Sequence, residues 1–467
     1  MSGAPTTVDA VCIGTGQAVP ALATALARRG ESVVVVERGH VGGSCVNVGC
    51  TPTKTLRKSA RIAHLARRAS EFGVHVGEVR VDVAAAMARV RAIVEGSRSG
   101  LEGWITGTPG ATLVRGSARL DGRAGDRFVV RVGDDVWHAA RVYLNTGTRA
   151  VLPPIPGLAD VAPLTNESIL ALTEAPRHLV IIGGSYIGLE FAQIFRRLGS
   201  EVTVLETAPA IAAREDRDVS ERLAAMLADE GIAVHAGVKI ERVARLYDDV
   251  VQVTLAGDAP PITGTAILVA AGRAPNTDGL GLDTVGMEID AQGYVPVDDR
   301  LATSTPGIWA LGDVNRRGAF THTAWQDHEI VLANHTGGDR TAAGRITTYA
   351  MYTDPPLGRI GMNVTEARAA MARDGRRFLV ATHEMSRVSR AKEEGETVGV
   401  ITVLVDAETK RFAGITMLGI GADEIVQVIG GQMAAGASYE VLRDALPVHP
   451  TVTEFFPTIL GRLAPLV

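Results

Sequence analysis

The chain has 467 residues, 46% of them hydrophobic and 21% charged, with a formal net charge of -5. That is enough for two to four globular domains, and the mild acidity argues against nucleic-acid or anionic-membrane binding. Three cysteines exclude a disulfide scaffold, no apolar run reaches membrane-spanning length, and Met1 to Asp9 lacks the basic and apolar regions of a signal peptide, so the expected location is the cytoplasm.

Val8 to Ile13 reads as a buried strand. Gly14-Thr15-Gly16 follows, then a helical pattern through Arg29, then a second buried strand from Ser32 to Val36 that ends in Glu37. A glycine turn at that place lets the backbone approach a pyrophosphate at a helix N-terminus, and the carboxylate at the tip of the second strand can take two ribose hydroxyls. Val19 stands where a third glycine would allow close helix–strand packing, so a slightly splayed turn is expected.

The stretch Gly42 to Lys54 holds two cysteines five apart, Cys45 and Cys50, and a helical pattern starts directly after the second. Pro52 suits the first turn of a helix. Cys50 is therefore expected at a helix N-terminus, where the macrodipole favours a thiolate, with Lys54 one turn further along the same face. Zinc fits poorly, because only Cys12 remains as a further cysteine and no Cys/His cluster has ligand spacing. The expectation is a redox-active disulfide and no metal site.

The helix should run to about Ser70, with a second from about Val83 to Trp104. Arg127–Val132 and Val136–Asn145 look like strands, followed by Asn145-Thr146-Gly147. Pro153-Pro154-Ile155-Pro156-Gly157 reads as a rigid linker. Then the opening pattern repeats: strand His178 to Ile182, glycine turn Gly183-Gly184-Ser185-Tyr186-Ile187-Gly188, strand Glu201 to Leu205, and Glu206, which stands as far beyond Gly183 as Glu37 beyond Gly14. Ser185 replaces the middle glycine. Two such units imply two nucleotides, and so electron transfer between two cofactors.

The second unit closes near Gly272-Arg273. A short strand ending in Gly312-Asp313 can aim a carboxylate at a polyol. From about Arg345 an alternating strand and helix region runs on, with strands at Val398–Val405 and Phe412–Gly419 and a helix near Asp423–Ala435. His449 and Glu454 stand five apart; alone they read as a surface histidine, or as a base with its orienting carboxylate.

Together these motifs resemble the flavoprotein disulfide reductases related to lipoamide dehydrogenase, glutathione reductase and mercuric reductase, the class I pyridine nucleotide-disulfide oxidoreductases. The resemblance implies an α/β fold with two Rossmann-like dinucleotide-binding domains, for FAD and NAD, plus a C-terminal α+β dimerisation domain. The expected domains are 1–150 and 274–344 for FAD, 151–273 for NAD(P)H, and 345–467 for the dimer interface. It implies that Gly14, Gly16, Glu37, Gly43, Ser44, Gly147 and Asp313 bind FAD. Gly183, Tyr186, Ile187, Gly188, Glu206, Gly272 and Arg273 would serve the nicotinamide side, with Tyr186 as a gate over the flavin. Lys54 would pair with Glu190 beside the flavin. Cys50 would be the thiol next to the flavin, Cys45 the thiol that meets substrate, and His449 with Glu454 would enter the partner's site of a homodimer.

Electrons would pass from NAD(P)H through FAD and the Cys45–Cys50 disulfide to a small disulfide, or backwards from a dithiol. Glu206 favours NADH over NADPH, with Arg214 able to rescue NADPH. A lipoamide dehydrogenase component of a multienzyme complex is a special case. Strict mercuric reductases carry a vicinal cysteine pair near the C-terminus that this sequence lacks. A mercuric-reductase-like metal-ion or quinone reductase is the alternative, and a non-catalytic flavoprotein a third.

Overall fold

The computed structural model describes residues 4–247 and 249–467. The strands Thr6–Ile13 (β1) and Val33–Glu37 (β2) are rich in Val and Ala and buried on both faces, as central parallel strands are. With Ala111–Arg115 (β3), Ala118–Ala124 (β4), Arg127–Val132 (β5) and Asp135–Leu144 (β6) they form one sheet in the order β3-β2-β1-β6-β5-β4. β1 runs parallel to both β2 and β6, so the connections diverge there and leave a crevice at the strand ends. Neither β3 nor β4 was expected from the sequence. β4 carries Arg, Asp and Gly and is held by pairing with β5 and by Leu120 N donating to Leu280 O (2.8 Å). The helices here are Val19–Ala27 (α1), Gly43–Val48 (α2), Cys50–Arg67 (α3) and Val83–Thr106 (α4). A short strand, Thr148–Ala150 (β7), leads out.

The second unit repeats the first. Its strands His178–Ile182 (β8), Glu201–Leu205 (β9), Ile232–His235 (β10) and, later, Ala266–Val269 stand in parallel with β8 again at the switch point. Helices Tyr186–Leu198 (α5) and Arg217–Asp229 (α6) accompany them, and 240–264 adds a small antiparallel sheet. The chain returns through Arg273–Pro275, antiparallel to β7, so entry to and exit from this unit lie side by side. Strand Ile308–Ala310 then rejoins the first sheet beside β6, and helix Thr321–His335 (α7) follows. The remainder is a six-stranded antiparallel sheet, from Thr348–Met351 to Ala464–Pro465, with helix Ala422–Ala434 packed on it.

The two glycine turns are the same device. At Gly14 (φ +90°) a Cβ would lie 2.5 Å from Asn145 O, and at Gly183 (φ +117°) 2.5 Å from Ala270 O; both positions need glycine for conformation and for space. They differ in the helix that follows. A Cβ at Gly188 would lie 2.0 Å from Gly183 O, whereas the equivalent Val19 is fully buried. The first unit accepts valine because α1 begins only at Val19, while α5 already begins at Tyr186, inside the turn. Ser185 adopts φ -98°, which any residue can hold.

One hydrophobic cluster crosses the units: Leu56 of α3, Met87 of α4, Phe191 and Phe195 of α5, and Met351 and Leu418 of the C-terminal sheet, all at most 2% exposed. Each such side chain contributes about 1.5–3 kcal/mol by leaving water. The cluster fixes α3 against α5, and so the redox stretch against the second unit. Among the described residues, no helix is long and apolar enough to cross a membrane.

Candidate active site

Gly42 (φ +105°) and Gly43 (φ +61°) turn the chain from β2 into α2 in left-handed backbone. A Cβ on Gly43 would lie 2.8 Å from Gly16 Cα, so this glycine lets the cysteine stretch sit against the first glycine turn. Asn47 Nδ2 donates to Gly43 O (2.9 Å) and Val41 O (3.0 Å), and Arg98 of α4 donates to Asn47 Oδ1 (2.9 Å), bracing the loop. Gly49 separates α2 from α3; a Cβ there would meet Ser44 O at 2.8 Å. Cys45 therefore lies in α2, and Cys50 is the first residue of α3, at the positive end of an 18-residue helix.

Both thiols are free and hydrogen-bonded to each other. The bond from Cys45 lowers the Cys50 thiol to about 6, against the cost of burial and with help from Thr321 and Lys54. Cys45 is pushed up, first by donating to Cys50 and then by burial. The two shifts run in opposite directions, so the pair favours a single shared proton over two thiols or two thiolates. Thr321 Oγ1, at the start of α7, lies 3.3 Å from Cys50 Sγ. Lys54 Nζ sits 2.7 Å from Glu190 Oε2, and its charge lies 4.5 Å from the centre of the Tyr352 ring.

Two cavities meet here. One of about 610 Å³ is lined by Cys45, Cys50, Lys54 and Glu190 together with Gly16, Ser44 and Asp313. The second, of about 690 Å³, lies over the second glycine turn and is lined by Gly183, Glu206, Arg214 and Gly272. Tyr186, Ile187, Arg273, Asp313 and Phe320 line both, so the wall between them is the Tyr186 and Phe320 rings, 6.1 Å apart, and their neighbours. Burial raises both the Tyr186 hydroxyl and the Asp313 carboxyl. Asp313 sits in a short 3-10 turn just after strand Ile308–Ala310, accepts from Thr148 Oγ1 (3.1 Å), and Thr148 in turn takes Arg273 Nε (2.7 Å).

The donor set suits two dinucleotides. Glu37 accepts from Thr15 N (3.0 Å) and Gly39 N (2.8 Å), which aims its carboxylate along the rim of the first glycine turn. Glu206 does the same in the second unit, accepting from Gly184 N (2.6 Å) and Ala208 N (2.7 Å). Asn145 Oδ1 and Thr146 Oγ1, at the β1/β6 switch point, are buried without a hydrogen-bond partner and leave bonding capacity that a bound nucleotide can use. Gly14, Glu37, Gly43, Gly147 and Gly188 are not among the residues that line these two cavities.

His449 Nδ1 lies 2.7 Å from Glu454 Oε2, but neither lines the cavity of its own chain, and the His449 side chain is 76% exposed. Thr321, Phe320 and Tyr352 escaped the sequence reading. Each acts through a contact with a residue far along the chain, and none belongs to a spaced motif. Thr15 was read as part of the first glycine turn, without its bond to Glu37.

A family model described as pyridine nucleotide-disulphide oxidoreductase matches residues 8–327, and the dimerisation domain of the same family matches 347–459. The chain is 33% identical to a probable pyridine nucleotide-disulfide oxidoreductase, RclA, of Escherichia coli strain K12, covering 96% of this chain and 97% of that protein. It is 32% identical to a mercuric reductase of Streptomyces lividans (97% and 95% covered) and 32% identical to a dihydrolipoyl dehydrogenase of Thermus scotoductus (96% and 95%). A Cu(II) complex of the HOCl-induced flavoprotein disulfide reductase RclA from Escherichia coli superposes with a TM-score of 0.88 at 31% identity, over 98% of this chain and 99% of that one. With its two glycine-turn units, its thiol pair lining one of the two adjoining cavities and a dimerisation domain, the chain belongs to the class I pyridine nucleotide-disulphide oxidoreductases, FAD- and NAD(P)H-dependent enzymes that act on sulfur groups.

Proposed function

We propose that the protein is a homodimer that takes electrons from NADH into the Cys45–Cys50 disulfide and delivers them to a small disulfide, with each active site shared between subunits. The observation that carries this reading is the placement of the thiol pair: Cys45 and Cys50 line one cavity together with Lys54, and Cys50 is the first residue of α3. Glu37, the Gly14–Gly16 turn, Gly43, Ser44, Gly147 and Asp313 would hold FAD. Gly183, Ile187, Gly188, Glu206, Gly272 and Arg273 would hold the nicotinamide cofactor, with Tyr186 between the two. FAD, when bound, supplies hydride acceptance and two-electron reduction of the disulfide.

The thiols do the rest. Cys45 must lose its proton before it can attack. His449 of the partner subunit takes that proton, with Glu454 holding the imidazole. Cys45 Sγ then bonds to one substrate sulfur, and the other sulfur leaves and recovers the proton. The Cys50 thiolate attacks Cys45 Sγ, expels the second substrate sulfur as a thiolate, which takes its proton from solvent, and restores the Cys45–Cys50 disulfide. The same steps reversed oxidise a dithiol. A reducing cytoplasm suits this chemistry.

Glu206 supports the NADH preference, since a carboxylate on the adenosine ribose repels a 2′-phosphate; Arg214, lining the same cavity, supplies the opposing charge. Reduction of a soft metal ion is a second reading, favoured by the Cu(II) complex of the E. coli relative and by the mercuric reductases among the relatives. A substrate panel separates the two: lipoamide, glutathione disulfide, quinones, Hg(II) and Cu(II), each with NADH and NADPH. Disulfide turnover that vanishes in Cys45→Ala supports the first reading. Inert disulfides with brisk quinone or metal turnover that survives Cys45→Ala would overturn it.

A further inference from the structure

Behind Lys54 and Glu190 lies a second set of charges that the electron relay does not use. Lys54, Arg57 and Arg61 lie at i, i+3 and i+7 of α3, on one face; Glu190, Gln193 and Arg197 occupy the same spacing on α5. The segment Tyr352-Thr353-Asp354 runs between these faces. Its backbone groups are taken up one by one. Tyr352 N donates to Glu190 Oε1 (2.8 Å), Thr353 O accepts from Arg57 Nη2 (2.7 Å), and the Gln193 amide brackets Asp354 N (2.7 Å) and Asp354 O (2.8 Å).

The Asp354 carboxylate, 2% exposed, is the centre of the set. Oδ2 takes Arg197 Nη1 at 2.5 Å; Oδ1 takes Arg61 Nη1, with Arg57 Nη2 at 3.5 Å. Glu230 pairs with Arg197 (2.8 Å), Glu396 faces Arg61 (3.7 Å) and Arg68 (3.4 Å), and His64 faces Arg197 from α3. Burial pushes the Asp354 carboxyl up, but Arg197, Arg61 and Arg57 outweigh it and hold the group below its ordinary value. The network joins the redox helix, the nicotinamide unit and the C-terminal domain at one carboxylate.

We propose that Asp354 is a positioning residue of the redox centre: by locking Tyr352–Asp354 between α3 and α5, it holds the Tyr352 ring and N–H on the Lys54–Glu190 pair and keeps Lys54 directed at Cys50. The inference rests on the reading of Cys45 and Cys50 as the redox pair. Without the Asp354 charge, three guanidinium groups face each other with less compensation, and the two helix faces lose the group that ties them. Tyr352 then loses its nearby anchorage, and with it the grip on Lys54.

The test reads Cys50 itself. In the holoprotein carrying Cys45→Ser, alkylation of Cys50 by iodoacetamide is followed against pH by peptide mass spectrometry. Asp354→Asn is expected to raise the midpoint by about one pH unit, as loss of a nearby cation does. Arg61→Met, which removes one of the three arginines, is expected to raise it by less. Glu384→Gln is the control: it breaks the Arg222–Glu384 bridge (2.7 Å), another link between nicotinamide unit and C-terminal sheet that lies away from Lys54. It is expected to leave the midpoint unchanged. Should Asp354→Asn fail to fold with FAD, Arg61→Met alone decides. An unshifted midpoint in the folded variants, or an equal shift in Glu384→Gln, would overturn the inference. A reference protein whose Cys50 titrates like a free thiol would overturn the redox-pair reading first, and this inference with it.

Discussion

Lys54 Nζ and Glu190 Oε2 meet at 2.7 Å, although one stands on the redox helix and the other on the first helix of the second dinucleotide unit. Glu190 is nearly buried and Lys54 about one-third exposed, so the pair keeps a positive charge next to Cys50 at the cost of desolvating a carboxylate. Lys54→Met should lower NADH-driven disulfide turnover about 10²-fold, the scale of losing one preorganised electrostatic partner. Glu190→Gln should cost less, since the amide oxygen still accepts from one of its two donors, Lys54 Nζ or Tyr352 N. In a double-mutant cycle on turnover the two should couple by about 1 kcal/mol or more; additive effects would separate the pair from the redox step.

The exposed His449 makes a sharper case for a shared site. Its hydrogen bond to Glu454 orients an imidazole that lines no part of its own chain's cavity. His449→Gln should reduce turnover by about 10²–10³-fold while leaving the thermal midpoint close to that of the reference protein. Heterodimers purified with two tags, one chain Cys45→Ser and the other His449→Gln, assemble one intact site from two defective chains and should recover about half of the reference rate. Heterodimers as inactive as either parent would mean that each site is built from one chain.

The thiol pair also sets a sign for pH dependence. In the reduced protein Cys50 is lowered from 9.0 to about 6. Between those values the folded chain carries a thiolate where the unfolded chain carries a thiol, so unfolding takes up a proton and stability rises with pH. The contribution is full above about 9 and lost below about 6. Cys45, raised in the fold, makes stability fall again above 9. The gap in denaturant midpoint between the reduced reference and Cys50→Ser should therefore widen from pH 6 to pH 9; a constant gap would mean that Cys50 is not held as a thiolate.

The proposed preference for NADH rests on the Glu206 carboxylate. Glu206→Ala should narrow the NADH-over-NADPH ratio of kcat/KM by about tenfold, and Arg214→Ala should widen it by weakening NADPH alone. Steady-state kinetics with both cofactors checks this. A ratio unmoved by Glu206→Ala would place the discrimination elsewhere.

Much of this site was legible in the sequence because its parts are local. A glycine turn with an acid at the end of the next strand, or Cys45 and Cys50 followed by Pro52, is a pattern within one supersecondary unit. The turns also explain the departures: Val19 fits because α1 starts late, and Ser185 fits because its backbone is extended. What stayed hidden acts across the chain. Thr321 reaches Cys50, and Tyr352 reaches Glu190, through contacts between widely separated parts of the sequence. The change of character near Arg345 was visible, but the role of Tyr352 to Asp354 appears only when α3 and α5 are brought together. Strands β3 and β4 were hidden for a related reason: β3 is five residues long with no fully buried side chain, β4 is polar, and both are held by pairing with a neighbouring strand.

Whether Cys45 and Cys50 carry electrons between a nicotinamide and a substrate is decided by counting thiols. The air-oxidised holoprotein is treated anaerobically with excess NADH, quenched, denatured and titrated with a thiol reagent. A relay through the pair predicts a gain of two thiols per chain over the untreated sample, with Cys12 titrating in both, and no gain in Cys45→Ser. A thiol count unchanged by NADH in the unsubstituted protein would contradict it.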